Sequence, residues 1–197
     1  MSRFHNDRFV ITGAAAVAAG LFFRNPMAAG LVWYIGIALM HSVEETQGEL
    51  WAYFGKLTDF PLLNRLPRVA GFTLIVLPAA LLQTVASLLA FSGEHVAALG
   101  LAMLIGARPS DALLSHLIPF VESFKKDANS SDHVNPGLPT AVFYVVDGLA
   151  LLALCQAQLI AGGFSTILGA IIGAGFFILV QPVLRRLGRI TRWLGWC

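Results

Sequence analysis

Charged side chains are scarce in this chain. Only 12% of its 197 residues are Asp, Glu, Lys or Arg, against roughly 25% in a soluble domain. That deficit excludes an ordinary water-facing surface. A net excess of one sign is lacking too: the formal charge is +2, too little for the basic footprint of a nucleic-acid-binding protein. Cysteine is nearly absent, with Cys155 and Cys197 the two examples, which argues against a disulfide framework. The sequence has no C-x-x-C pair, no glycine-rich phosphate loop, no nucleophile motif and no H-E-x-x-H zincin helix, so the commonest signatures of redox, nucleotide and protease chemistry are missing. What is present in excess is hydrocarbon. Hydrophobic residues make up 57% of the chain and the mean hydropathy is +0.74. The composition is that of one integral membrane domain covering residues 1–197.

The hydrophobic residues fall into six runs, approximately 9–23, 27–43, 69–91, 95–119, 139–161 and 164–184. A spanning helix needs about 20 apolar residues, which the last four runs supply. The first is short and follows Arg3 and Arg8, but no small-x-small cleavage site follows it, so it reads as the first arm of a helical hairpin rather than a signal sequence. Pro26 suits the start of the second helix. Six spans put Lys56, Arg65, Arg68, Lys125, Lys126 and Arg185–Arg192 on one side and only Arg24 on the other. The positive-inside rule then predicts that both termini are cytoplasmic. Residues 46–66 mix Trp51, Tyr53, Phe54, Leu62 and Leu63 with charges, which predicts an interfacial segment. The basic, tryptophan-rich tail "RRLGRITRWLGWC" is expected to continue the last span or lie along anionic headgroups.

The second run ends in "ALMHSVEETQGELW". His41, Glu44 and Glu45 stand at i, i+3 and i+4 and share a helical face. At 1.5 Å per residue from residue 27, His41 lies roughly 20 Å and Glu45 about 27 Å into a core of about 30 Å. Ionisable groups at that depth need a partner, water or the bundle interior. The fourth run brings Arg108, Asp111 and His116 towards the same leaflet. A polar loop then carries His133 and Asn135 to the fifth run, which holds Asp147 about two turns in. Three distant segments therefore deliver ionisable groups to one level. His41, Glu44, Glu45 and His116 suit a divalent metal, zinc or iron. Without a metal, the same residues and Asp147 suit acid–base work. Arg108, Asp111 and Asp147 also read as an intramembrane ion pair or triad fixing the fourth span against the fifth. Gly169 and Gly173 form a G-x-x-x-G close-packing face, and Gln83 and Gln181 are suited to hydrogen bonds between helices.

"HSVEE", "SHLIPF" and "NPGLPTA" occur in that order over roughly residues 30–150. The pattern resembles the HXXEE-motif family of small bacterial membrane proteins. That resemblance implies a small helix bundle and no particular reaction. The reading that follows from the residues is an all-α polytopic bundle housing an enzyme that acts on a lipid-like or isoprenoid substrate at the cytoplasmic leaflet. A membrane scaffold or binding protein, or a transporter with a proton-linked polar pathway, stays open. The outer half is nearly all apolar, which favours a site over a pathway. The expected partners are membrane lipid and a hydrophobic small molecule, with no nucleic acid; a homo-oligomer is left open.

Overall fold

A backbone in hydrocarbon must satisfy its own N–H and C=O groups, so long apolar runs become helices. The computed structural model describes residues 8–20, 22, 24–126 and 135–195, and among them every regular element is helical. His133, placed by sequence near the polar mouth, lies outside the described residues, as do His5 and Cys197.

Helix α1 (Arg8–Gly20) and α2 (Pro26–Gln47) form the expected hairpin, with Pro26 opening α2. Two short helices follow, α3 (Leu50–Leu57) and α4 (Pro61–Asn64). Then α5 (Arg68–Gly71), a π-helical stretch Phe72–Val76 and α6 (Leu77–Ala90) run end to end as one 23-residue rod. The next rod joins α7 (Glu94–Asp111), a second π-helical stretch Ala112–Leu117 and α8 (Ile118–Lys126). Helix α9 (Leu138–Leu154) meets α10 (Gln156–Gly162) at a 73° bend, and α11 (Phe164–Trp193) closes the described chain as one 30-residue helix. The first part of the basic tail, to Trp193, is helical and belongs to α11.

Among the described residues three helices are long and apolar enough to cross a bilayer, Arg68–Ala90, His95–Ser123 and Phe164–Trp193; the bent α9–α10 pair makes a fourth if counted as one span. Hydropathy alone counted six. The difference lies in the first hairpin: α1 has only 13 residues, about 20 Å of helix, and α2 spends its last two turns on the polar residues from His41 onward.

The α7 rod is the centre. In its most apolar stretch 61% of residues are buried, against 22% in each of the other two qualifying rods. Leu101, Leu104 and Arg108 have no exposed surface. The outer helices turn Val142, Phe143, Leu149, Ile171 and Leu179 outward, the pattern of side chains whose solvent is lipid. Helix α11 reaches α7 through Gly169 and Gly173, where a methyl group would run into the Leu99 or Met103 carbonyl, so the G-x-x-x-G lets the two backbones touch. At the far end of α11, Leu184 packs with Leu50, Phe54 and Leu63, and Arg192 pairs with Asp59. The 46–66 segment is therefore docked on the end of the bundle, with Trp51 only 1% exposed.

Candidate metal centre

Helical geometry decides which acidic residues of "HSVEE" work together. Helix α2 is unbroken to Gln47, so His41 and Glu45, four apart, point the same way while Glu44 is turned about 100° from Glu45. His41 Nε2 lies 3.2 Å from Glu45 Oε1. Glu44 faces α9 instead, where its Oε2 accepts hydrogen bonds from the Thr140 hydroxyl (2.6 Å) and backbone N–H (3.3 Å).

The rod α7–α8 supplies two more groups. Asp111 and His116 are five residues apart, which in an α-helix would set them about 140° from each other. The intervening Ala112–Leu117 stretch is π-helical, and i→i+5 hydrogen bonding brings residues five apart onto one side. His116 Nε2 thereby lies 3.4 Å from Glu45 Oε1 and 3.9 Å from Asp111 Oδ1, and Asp111 Oδ2 is 3.7 Å from His41 Nε2. The wide turn leaves a backbone acceptor free for another helix, and Gln181 of α11 donates to the Leu114 carbonyl there.

His41, Glu45, Asp111 and His116 thus offer one ligand atom each within 4.8 Å of one another. Their exposures are 2, 5, 3 and 0%, so this is no solvated helix end. Four tetrahedral donors at 2.0–2.1 Å from a metal sit about 3.3–3.4 Å apart. The His–carboxylate distances above are 3.2–3.9 Å, reaching both oxygens of Asp111, and the whole donor set lies within 4.8 Å, wider than a closed tetrahedral cage.

The proton positions follow from the neighbours. Asn135 Nδ2 donates to the Ser115 and His116 carbonyls (3.2 and 2.9 Å), so its Oδ1, 2.8 Å from His116 Nδ1, must accept. His116 therefore carries its proton on Nδ1. His41 Nδ1 is 2.7 Å from Thr140 Oγ1, and that hydroxyl spends its one proton on Glu44. His41 Nδ1 is then a donor too. Both Nε2 atoms are buried and without a hydrogen-bond partner, and in the neutral rings they carry the lone pair. Holding one ring nitrogen by an acceptor is how proteins fix the tautomer of a metal-binding histidine.

The charges give a third argument. Glu45 and Asp111 are buried together, and the nearest guanidinium, Arg108, is committed elsewhere. Its Nη1 donates to Asp147 Oδ2 at 2.8 Å and its Nη2 to the Tyr34 carbonyl at 3.0 Å. Its planar head lies against the Tyr34 and Tyr144 rings, 3.0 and 4.4 Å from their centroids. Two buried carboxylates need two positive charges, which a divalent cation or two protonated imidazoles supply.

The loop before α9 closes the centre. Gly137 sits at φ 88°, and a Cβ there would meet His116 Cε1 at 2.6 Å and His41 Cε1 at 2.8 Å. Only glycine lets the backbone lie on both imidazoles. Pro136 rests on Gly48 just past α2.

The structure therefore regroups the residues singled out by sequence. His41, Glu45 and His116 meet. Asp111, read as part of an ion pair with Arg108 and Asp147, joins them because of the π turn. Glu44 stands outside the cage as the anchor of Thr140. Asp147 pairs with Arg108 and faces away from the cage, with Tyr144 between: its ring is 4.5 Å from that of His41. Thr140, Gly137 and Tyr144 were not picked out individually by sequence, although "NPGLPTA" marked the segment that carries the first two. No family model, curated protein or solved structure matches this chain.

Proposed function

We propose that this protein is an intramembrane enzyme that uses a divalent metal, held by His41, Glu45, Asp111 and His116, to act on a lipid-like or isoprenoid substrate at the cytoplasmic leaflet. The observation that carries the reading is the pair of buried Nε2 atoms, without hydrogen-bond partners, facing two buried carboxylates. A metal there would serve as a Lewis acid on a substrate oxygen or lower the pKa of a bound water. The protein's own contribution is to fix the tautomers through Thr140 and Asn135, to exclude cytoplasmic water with the Pro136–Gly137 turn, and to keep Arg108 away from the carboxylates. The resemblance to the HXXEE-motif family is part of this proposal: two of the segments that carry it supply His41, Glu45 and His116, the third supplies Gly137 and Thr140, and Asp111 lies outside them.

The cytoplasmic assignment rests on the Lys/Arg distribution. It is supported by the ion pair between Arg192 and Asp59, which puts the basic end of α11 beside the segment that follows the cage residues of α2.

Metal analysis of detergent-purified protein tests the reading. Wild type should carry about one zinc or iron ion per chain, and His41→Ala and His116→Ala should each lose it. Protons compete for the same lone pairs and carboxylates, so the ion should be released as the pH falls and not as it rises. Protein that stays metal-free after incubation with zinc or ferrous iron would overturn the proposal. The short Glu45 contacts to both imidazoles equally suit a metal-free acid–base pair, and that second reading predicts Glu45→Gln inactive in a protein that never held metal.

A further inference from the structure

The cage has one open flank, and it faces α6. A cavity of about 260 Å³ lies between α2 and α6, and His41, Glu45 and Asp111 form its end wall. His116 lies behind them, under the Gly137 turn. The α6 wall runs from Val76 to Phe91, about 22 Å of helix. Small side chains line it, including Ala80, Thr84 and Ser87, while Leu81 and Val85 point out to lipid, 53 and 48% exposed. About 10 Å from the cage the Tyr34 hydroxyl donates to Gln83 Oε1 at 2.7 Å, bridging the two helices at the back of the slot. The far end, at Leu88 and Phe91, is 66 and 57% exposed and opens on the lipid-facing surface.

This shape selects its occupant. The volume is on the scale of one hydrocarbon chain, below the 300–1,000 Å³ common for drug-sized ligands and too small for two acyl chains. No Lys or Arg lines the slot, so nothing there would hold a phosphate or diphosphate head. Two carboxylates and a divalent ion cancel, which suits a neutral oxygen group. A chain leaving lipid for an apolar slot gains little hydrophobic free energy, because lipid tails are as apolar as leucine. Affinity must then come from the head, and the slot acts by excluding wider molecules.

Resting on the metal-centre reading, we infer that the substrate is a single-chain lipid with a small neutral oxygen head, of the long-chain alcohol or aldehyde class. Its head sits at His41, Glu45 and Asp111. Its chain lies between α2 and α6, and it enters sideways from the bilayer rather than from water.

The test uses hexadecanol carrying a diazirine near its tail end, with wild-type protein in nanodiscs. Photolabels should map to α6 around Ser87–Phe91 and the facing part of α2. Excess hexadecanol should suppress them, whereas geranylgeranyl diphosphate and a diacyl phosphatidylcholine should not. Ala80→Trp, which fills the slot, should weaken labelling about tenfold or more while metal content stays at the wild-type level. Val85→Trp, on the lipid face, should change neither. Thr84→Leu is the milder obstruction should the tryptophan prevent folding. Labels on the outer faces of α9 and α11, equal competition by the diphosphate or the diacyl lipid, or unchanged labelling in the obstructed slot would each overturn the inference. Metal content is read separately in every sample. A metal-free wild type that still labels in the slot would sink the metal centre and leave the slot standing; a metal-loaded protein with no slot labelling would do the reverse.

Discussion

His41 is held in its tautomer by a single hydroxyl. Thr140 accepts from His41 Nδ1 and donates to Glu44, so a threonine on α9 converts a carboxylate on α2 into a fixed orientation for an imidazole on the same helix. Thr140→Val keeps the shape and removes the relay. It should lower metal affinity by about 10–100-fold, the usual cost of losing such a support, with the fold retained; competition against a chelator measures it. Glu44→Gln should cost less, because the amide oxygen still accepts from Thr140. Equal affinities for wild type and Thr140→Val would show that the relay is idle. Gly137→Ala combines a backbone that disfavours any Cβ with a collision against both histidine rings. A non-glycine residue in such a conformation costs on the order of 1–3 kcal/mol. The variant should therefore melt earlier in detergent and hold metal more weakly than wild type.

At the scale of elements, the π-helical turn decides the composition of the centre. Inserting an alanine after exposed Leu113 should rotate His116 about 100° relative to Asp111 and abolish metal binding without loss of helical content. Deleting exposed Val121, beyond His116, leaves the two ligands in register and serves as control. Metal retained after the insertion would show that the register of His116 against Asp111 is dispensable. This is also where sequence reading met its limit. The i, i+4 pair His41 and Glu45 was legible because an α-helix is the default for an apolar run. The partnership of Asp111 with His116 was not, because it depends on five-residue spacing that an α-helix forbids, and Pro109 advertised a kink without its form. Arg108 and Asp147 were legible as an intramembrane pair because neither is tolerable there alone, and their 2.8 Å contact joins α7 to α9. Removing one partner of a buried pair costs about 3–5 kcal/mol in soluble proteins. Arg108→Ala and Asp147→Ala should each lower thermal stability in detergent, with the double variant less affected than their sum. Strict additivity would mean that the pair contributes no coupling.

For the whole molecule, the structure puts the end of α2, the π turn and the start of α9 together, since His41, His116 and Thr140 meet there. It puts Asp59 and Arg192 together at the end of α11, beside the α3 and α4 segment that follows α2. The Lys/Arg count predicts that this end is the cytoplasmic face. Sidedness itself is a property of the protein in its membrane, so labelling in cells tests it. Gly93, in the turn between α6 and α7, is suited to carry a reporter: its φ is −63° and a Cβ there meets nothing within 4 Å. Ser130, in the polar sequence that follows α8, is the second reporter, and the Lys/Arg count predicts it on the opposite side. Cys155 is buried, at 2% exposure, and should stay silent; Cys197 is first changed to serine. In that background an impermeant thiol reagent applied to intact cells should modify Gly93→Cys and leave Ser130→Cys untouched until the cells are opened. The reverse pattern would turn the bundle over. The metal cage would then face the outer leaflet, and a substrate sliding between α2 and α6 would be drawn from that leaflet instead.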